Sequence, residues 1–122
     1  VANEFLDNLY GFEFGPILFK PTLSGGSKTF RPSKEGALSY FIGGNPDFSE
    51  DEGFALEPWS AIEFDNSQVF NYSDVAITIG HYTLTDTNGN QATLEYSLGF
   101  IKDDNGNLKI FLHHSSIPYS AD

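Results

Sequence analysis

The sequence predicts an α+β fold, a curved antiparallel sheet capped by helices. Three observations carry that prediction. Apolar residues in the first third recur at helical spacing, five runs rich in β-branched and aromatic residues fill the second half, and Asn, Asp and Gly turn signals separate those runs. Helices first and a long meander afterwards leave one sheet face for the helices to cover.

Residues 2–10 place Phe5, Leu6 and Leu9 at helical spacing before Gly11, so they read as the end of a helix. Residues 17–19 form a brief apolar segment ended by Lys20-Pro21-Thr22, and residues 24–27 form a glycine-bearing loop. After Phe30-Arg31-Pro32 a second helix is predicted over 33–42, with Ala37, Leu38, Phe41 and Ile42 inward, Tyr40 on the last turn and Gly43-Gly44 as its end. Residues 45–53 carry Asp47, Glu50, Asp51 and Glu52 without an apolar period, which predicts a solvated acidic loop. Strands are expected at 59–64, 69–72, 75–85, 91–101 and 108–116. Residues 87–90 and 103–107 supply the positive-φ residues that hairpins require.

A chain of 122 residues fits one domain with one core, and no internal boundary or repeat is expected. Twelve Phe dominate the aromatic content, so the core is expected to consist largely of flat rings that leave pockets between sheet and helices. Seventeen acidic residues against six basic ones give a formal charge of -11, a field that repels nucleic-acid phosphates and anionic membrane surfaces. A neutral substrate is the easier guest. Cysteine is absent, which excludes disulfides and thiolate catalysis. No apolar run approaches the ~20 residues needed to span a bilayer. Because the chain begins with Val1, it is expected to be a processed product or a domain cut from something longer.

The most informative chemistry is His113-His114-Ser115-Ser116, directly after an apolar run. Strand alternation puts His113 and Ser115 on one face and His114 and Ser116 on the other. Such groups are costly beside apolar neighbours unless they find partners or do chemistry. A hydrogen-bonded strand end and a functional pocket both fit this pattern. His81, His113 and His114 invite a metal hypothesis, but adjacent strand residues face apart and no HExxH spacing completes a ligand shell. Residues 25–29 resemble the tail of a phosphate loop with Ser27 in place of the required glycine, so they read as an ordinary loop. Residues 103–107 resemble part of a calcium loop but lack its register, and Asn71-Tyr72-Ser73 matches a glycosylation sequon of little weight. No nucleophile elbow surrounds Ser115 or Ser116, so acyl transfer is unsupported.

Four phrases together carry a family likeness: Ile17-Leu18-Phe19-Lys20-Pro21-Thr22, Glu35-Gly36-Ala37-Leu38-Ser39-Tyr40-Phe41-Ile42-Gly43-Gly44, Gly53-Phe54-Ala55-Leu56-Glu57-Pro58-Trp59, and the closing stretch from Leu108 through His113-His114-Ser115-Ser116 to Tyr119. In this order they resemble the iota-class carbonic anhydrases, a branch of the SnoaL-like, cone-shaped superfamily typified by nuclear transport factor 2. The resemblance implies reversible hydration of carbon dioxide to bicarbonate, and a homodimer formed through the sheet. It carries site roles to Thr22, Tyr40, His113 and Ser115. Two departures matter. The chain is expected to start partway through the family's second helix, and Leu112 stands where many relatives have a further histidine. Family members are described as metal-free and as zinc- or manganese-dependent, and Leu112 leans this chain toward the metal-free form. The resemblance is compatible with a plastid, a bacterial periplasm or a cytoplasm.

On this reading Thr22, Tyr40 and Ser115 hold a water, then the bicarbonate oxygens, at the end of a Phe-lined pocket, while His113 relays a proton or orients Ser115. Two rivals remain at this stage. An isomerase or cyclase of a small ketone would want Glu63 or Glu95 buried beside Tyr40, and a non-catalytic binding or oligomerisation module would show a narrow, dry cavity.

Overall fold

The structure is a computed structural model that describes residues 2–48, 51, 53–54 and 59–119. Two helices, α1 (Ala2–Leu9) and α2 (Lys34–Ile42), accompany five strands: β1 (Leu18–Lys20), β2 (Trp59–Tyr72), β3 (Val75–Asp86), β4 (Gln91–Lys102) and β5 (Leu108–Ser116). The strands form one curved, unclosed sheet in the order β1-β5-β4-β3-β2. The α+β expectation holds, and the hairpin signals are where the sequence puts them. The Asp86 and Asp103 carboxylates each accept backbone N–H groups from two and four residues ahead, which fixes both turns and occupies the oxygens that a calcium loop would need.

The sheet departs from an all-antiparallel meander at one edge. β1 runs parallel to β5, with Phe19 opposite His113 and Lys20 opposite His114. Three residues are too few to show a period, and a partner about a hundred positions away leaves no local trace.

The second departure is in β2. Two strands were expected at 59–64 and 69–72, but the polar stretch between them bulges rather than turning, with register shifts at Trp59/Ala61 and Asn66/Gln68. Gly80 lies opposite the second bulge, where a Cβ would collide with the Asp65 carbonyl oxygen. The missing side chain makes room for the bulge, and the strand runs on.

α2 starts where Ser33 accepts the Gly36 N–H at 3.2 Å and ends at Gly43, whose φ of 69° favours glycine. Its buried face differs from the expected one: Gly36, Ala37, Ser39 and Tyr40 are buried, Leu38 and Phe41 are half-buried and Ile42 is exposed. The reason is a polar partner in the acidic segment, which is not wholly solvated. Asp51 is fully shielded and takes two hydrogen bonds of 2.8 Å from the equally shielded Arg31, while Ser39 Oγ donates to it at 2.6 Å. Arg31 also lies 4.5 Å from the Phe48 ring centre. Burial alone would raise the Asp51 pKa, but hydrogen bonds from Arg31 and Ser39 and the guanidinium charge bring it below the usual value. Glu50 and Glu52 of that segment lie outside the described residues.

The core has two parts, and its buried rings are mostly tyrosines rather than the expected phenylalanines, of which Phe19 alone is buried among the described residues. Leu6, Tyr10, Ile17, Phe19, Ala37 and Tyr40 join the helices to the β1–β5 end of the sheet, and Tyr82, Leu84, Leu94 and Tyr96 line the inward face of β3 and β4.

Candidate active site

The alternation of β5 decides which of its polar residues turn inward. Ser115 is 1% exposed and His113 is half-buried, whereas His114 is exposed. The parallel pairing with β1 lays the Phe19 ring on the His113 imidazole, with centroids 4.9 Å apart and planes 21° apart. His113 Nδ1 lies 2.7 Å from the Tyr10 hydroxyl and Nε2 lies 3.0 Å from Ser115 Oγ. Burial, with a smaller contribution from the neighbouring His114 charge, lowers the His113 pKa to about 4, so the ring is neutral near pH 7. Burial likewise pushes the Tyr10 phenol above its usual value.

A second pair forms where the chain leaves β1. Thr22 Oγ1 lies 3.0 Å from the Tyr82 hydroxyl, and Thr22 stands on the same cavity wall as Tyr40. The Tyr40 oxygen accepts the Leu23 N–H at 3.3 Å. Burial raises the Tyr40 pKa to about 12, against the lowering effect of that hydrogen bond. Both hydroxyls are therefore neutral donors and acceptors near pH 7.

Thr22 and Tyr40 open onto a cavity of about 530 Å³ whose other walls include Leu23, Phe54, Trp59, Leu84, Leu94 and Ile117. Phe54 stacks on Tyr40, with centroids 5.5 Å apart, and Trp59 Nε1 donates to the Phe54 carbonyl at 3.0 Å. The wall is apolar apart from a few groups, as an entry route for an apolar molecule needs. His113 and Ser115 do not line this cavity.

The expected site thus arrives as two pairs, Thr22 with Tyr40 and His113 with Ser115, that share no hydrogen bond among the described residues. Two tyrosines that the sequence reading passed over bring the pairs into one neighbourhood. Tyr10 holds His113, Tyr82 holds Thr22, and the Tyr10, Tyr40 and Tyr82 phenols are close enough that Tyr82 raises the pKa of both others. Lys20 Nζ, donating to the Ser115 carbonyl at 3.1 Å, ties the end of β1 to the same place on β5. Tyr82 was findable, since it shares the alternation of Leu84. Tyr10 follows Leu6 by one helical turn, but nothing in its vicinity names His113.

His81 faces Glu95 at 3.7 Å with both side chains half-exposed, and among the described residues no group of three or more His, Asp or Glu is arranged to hold a metal ion. Glu63 is exposed on β2, so neither strand carboxylate sits beside Tyr40 as a ketone isomerase would require. Residues 26–28 form a short 3-10 turn in the ordinary loop expected there.

The profile of the metal-independent carbonic anhydrase family matches residues 1–117. The metal-independent carbonic anhydrase of Nostoc sp. (strain PCC 7120) is 44% identical over 119 residues, covering 98% of this chain and 58% of the relative's length. The chain therefore spans under two thirds of that relative. A cyanobacterial iota-carbonic anhydrase crystallised with bicarbonate superposes with a TM-score of 0.96 at 44% identity, covering 98% of this chain and 73% of that one. The fold alone extends to a putative calcium/calmodulin-dependent protein kinase II association domain from Xanthomonas campestris, with a TM-score of 0.61 at 24% identity and 98% and 76% coverage. The chain belongs to the metal-independent carbonic anhydrase family.

Proposed function

We propose that this chain, as one carbonic anhydrase domain over residues 1–122, hydrates carbon dioxide reversibly to bicarbonate without a metal. The observation that carries the reading is the near-complete superposition on the bicarbonate-bound iota-carbonic anhydrase. Carbon dioxide enters along the apolar wall of Leu23, Phe54 and Leu94. Thr22, Tyr40 and Ser115 hold the water and then the bicarbonate oxygens, because a hydroxyl can accept from neutral water and donate to the anion. The new C–O bond forms as water attacks carbon, and the released proton leaves to solvent or buffer.

No bound cation lowers the water's pKa on this reading, so rate must come from positioning and from donors that meet the charge developing on oxygen. A neutral imidazole at His113 suits this role, since it adds no charge to trap the product. The surplus negative charge of the chain favours bicarbonate release. We further propose a homodimer formed through the sheet, supported by the exposed Phe64, Val69 and Phe70 on β2.

Stopped-flow carbon dioxide hydration, with and without chelator, tests the reading. Chelator-insensitive activity in the wild type, lost in Tyr40→Phe and Ser115→Ala, is expected. Full activity in both variants overturns the site, and activity that requires added metal overturns the mechanism.

A further inference from the structure

Tyr10, His113 and Ser115 form a linear chain of two hydrogen bonds, 2.7 Å and 3.0 Å long. Three hydrogens belong to it: one phenolic, one on the neutral imidazole and one on the serine hydroxyl. Two bonds use two of them, so one donor is left over at one end. If Nδ1 carries the ring proton, the surplus donor is the Tyr10 O–H. If Nε2 carries it, the surplus donor is the Ser115 O–H.

The surroundings of the two ends differ. Tyr10 is 4% exposed, and the rings of Phe12, Phe19 and Phe41 lie within 6.5 Å of its own, with His113 as its hydroxyl's single hydrogen-bond partner among the described residues. A surplus donor there would be buried among hydrocarbon, an arrangement native proteins avoid. At the Ser115 end, itself only 1% exposed, the same donor meets an oxygen of the reacting molecule on the proposed reading.

We propose that Tyr10 is a positioning residue that donates to His113 Nδ1, fixes the Nε2–H tautomer, and thereby aims the Ser115 hydroxyl hydrogen at the carbon dioxide or bicarbonate oxygen. His113 is then a spacer that transmits direction rather than a base that removes the Ser115 proton. The raised Tyr10 pKa and the lowered His113 pKa agree with a neutral chain. The inference rests on the carbonic anhydrase reading, which gives the Ser115 donor its acceptor, and the tautomer is measured independently of activity.

The test uses the full chain labelled with 15N-histidine, with His113 assigned by its loss in His113→Gln. Two-bond proton–nitrogen correlation spectra of the wild type are expected to show a bare Nδ1 and a protonated Nε2. In Tyr10→Phe, which keeps the ring and loses the donor, an Nδ1–H population appears and kcat for hydration falls about tenfold with KM nearly unchanged. A wild-type Nδ1–H tautomer overturns the proposal even if the variant does not fold. So does a folded Tyr10→Phe protein with an unchanged tautomer or full kcat. Absence of hydration in the wild type overturns the carbonic anhydrase reading instead, and the spectra still decide what Tyr10 does to His113.

Discussion

At the β1–β5 end of the sheet, the inward side chains are sealed beneath α1 and α2, and Tyr10, Phe19, Tyr40 and Ser115 are each 5% exposed or less. At the β2 end every residue after Trp59 is exposed, including Phe64 at 56% and Phe70 at 62%. Both ends are rich in aromatic residues, so composition does not separate them. Cover does. Where the helices exclude water, a neutral histidine and a set of hydroxyls can be held in fixed directions, and each hydrogen bond counts for more. Where no helix reaches, the same kind of residue makes a bare apolar edge of the sort that invites another chain.

Substitutions that uncover or discharge the sealed end should therefore cost most. Asp51→Asn takes from the shielded Arg31 guanidinium a carboxylate charge 2.8 Å away and is expected to cost about 3 kcal/mol, read as a lower denaturant midpoint at unchanged slope. A loss under about 1 kcal/mol would mean that the pair does not clamp the residue 51 segment to α2. On the proposed reading Ser115→Ala removes a donor to the developing oxyanion, and a fall of about 10²–10³ in kcat is expected with near-UV circular dichroism unchanged.

Acid should strike the same end. His113 titrates near 4 when folded and near 6.5 when unfolded, so between those values the unfolded chain binds more protons and stability drops as pH falls. The full difference amounts to about 3 kcal/mol, present above pH 6.5 and gone below pH 4. His113→Gln should flatten that part of the stability profile, and an identical acid limb in wild type and variant would contradict it.

The smallest effect on stability belongs to the bare end. Phe70→Lys should change monomer stability by no more than about 0.5 kcal/mol, because the side chain is already in water. Its expected consequence is on assembly, with sedimentation giving a dimer for wild type and a monomer for the variant. A variant that remains dimeric would show that this edge is not the contact.

Much of the sealed end was legible in the sequence. The alternation of β5 put His113 and Ser115 together, Ser33 and Gly43 marked the limits of α2, and both hairpins were written in their Asp, Asn and Gly residues. Charge density in the acidic segment predicts solvation throughout, and only the approach of Arg31 makes the Asp51 side chain a shielded partner. The bulge in β2 is hidden for a related reason, since Asp65, Asn66 and Ser67 are turn formers by type and accept a bulge only where Gly80 makes room. Residues 55–58 of the family phrase lie outside the described residues.

Local sequence thus determined the two helices, the hairpins, the inward pair on β5 and the family, because periodicity, capping and short motifs act over a few residues. Tertiary structure alone decided that β1 runs beside β5, that Asp51 is buried, and that Tyr10 meets His113 across 103 positions of chain. Those pairings depend on which surfaces exclude water together, and exclusion is a property of the packed molecule that no short stretch of chain encodes.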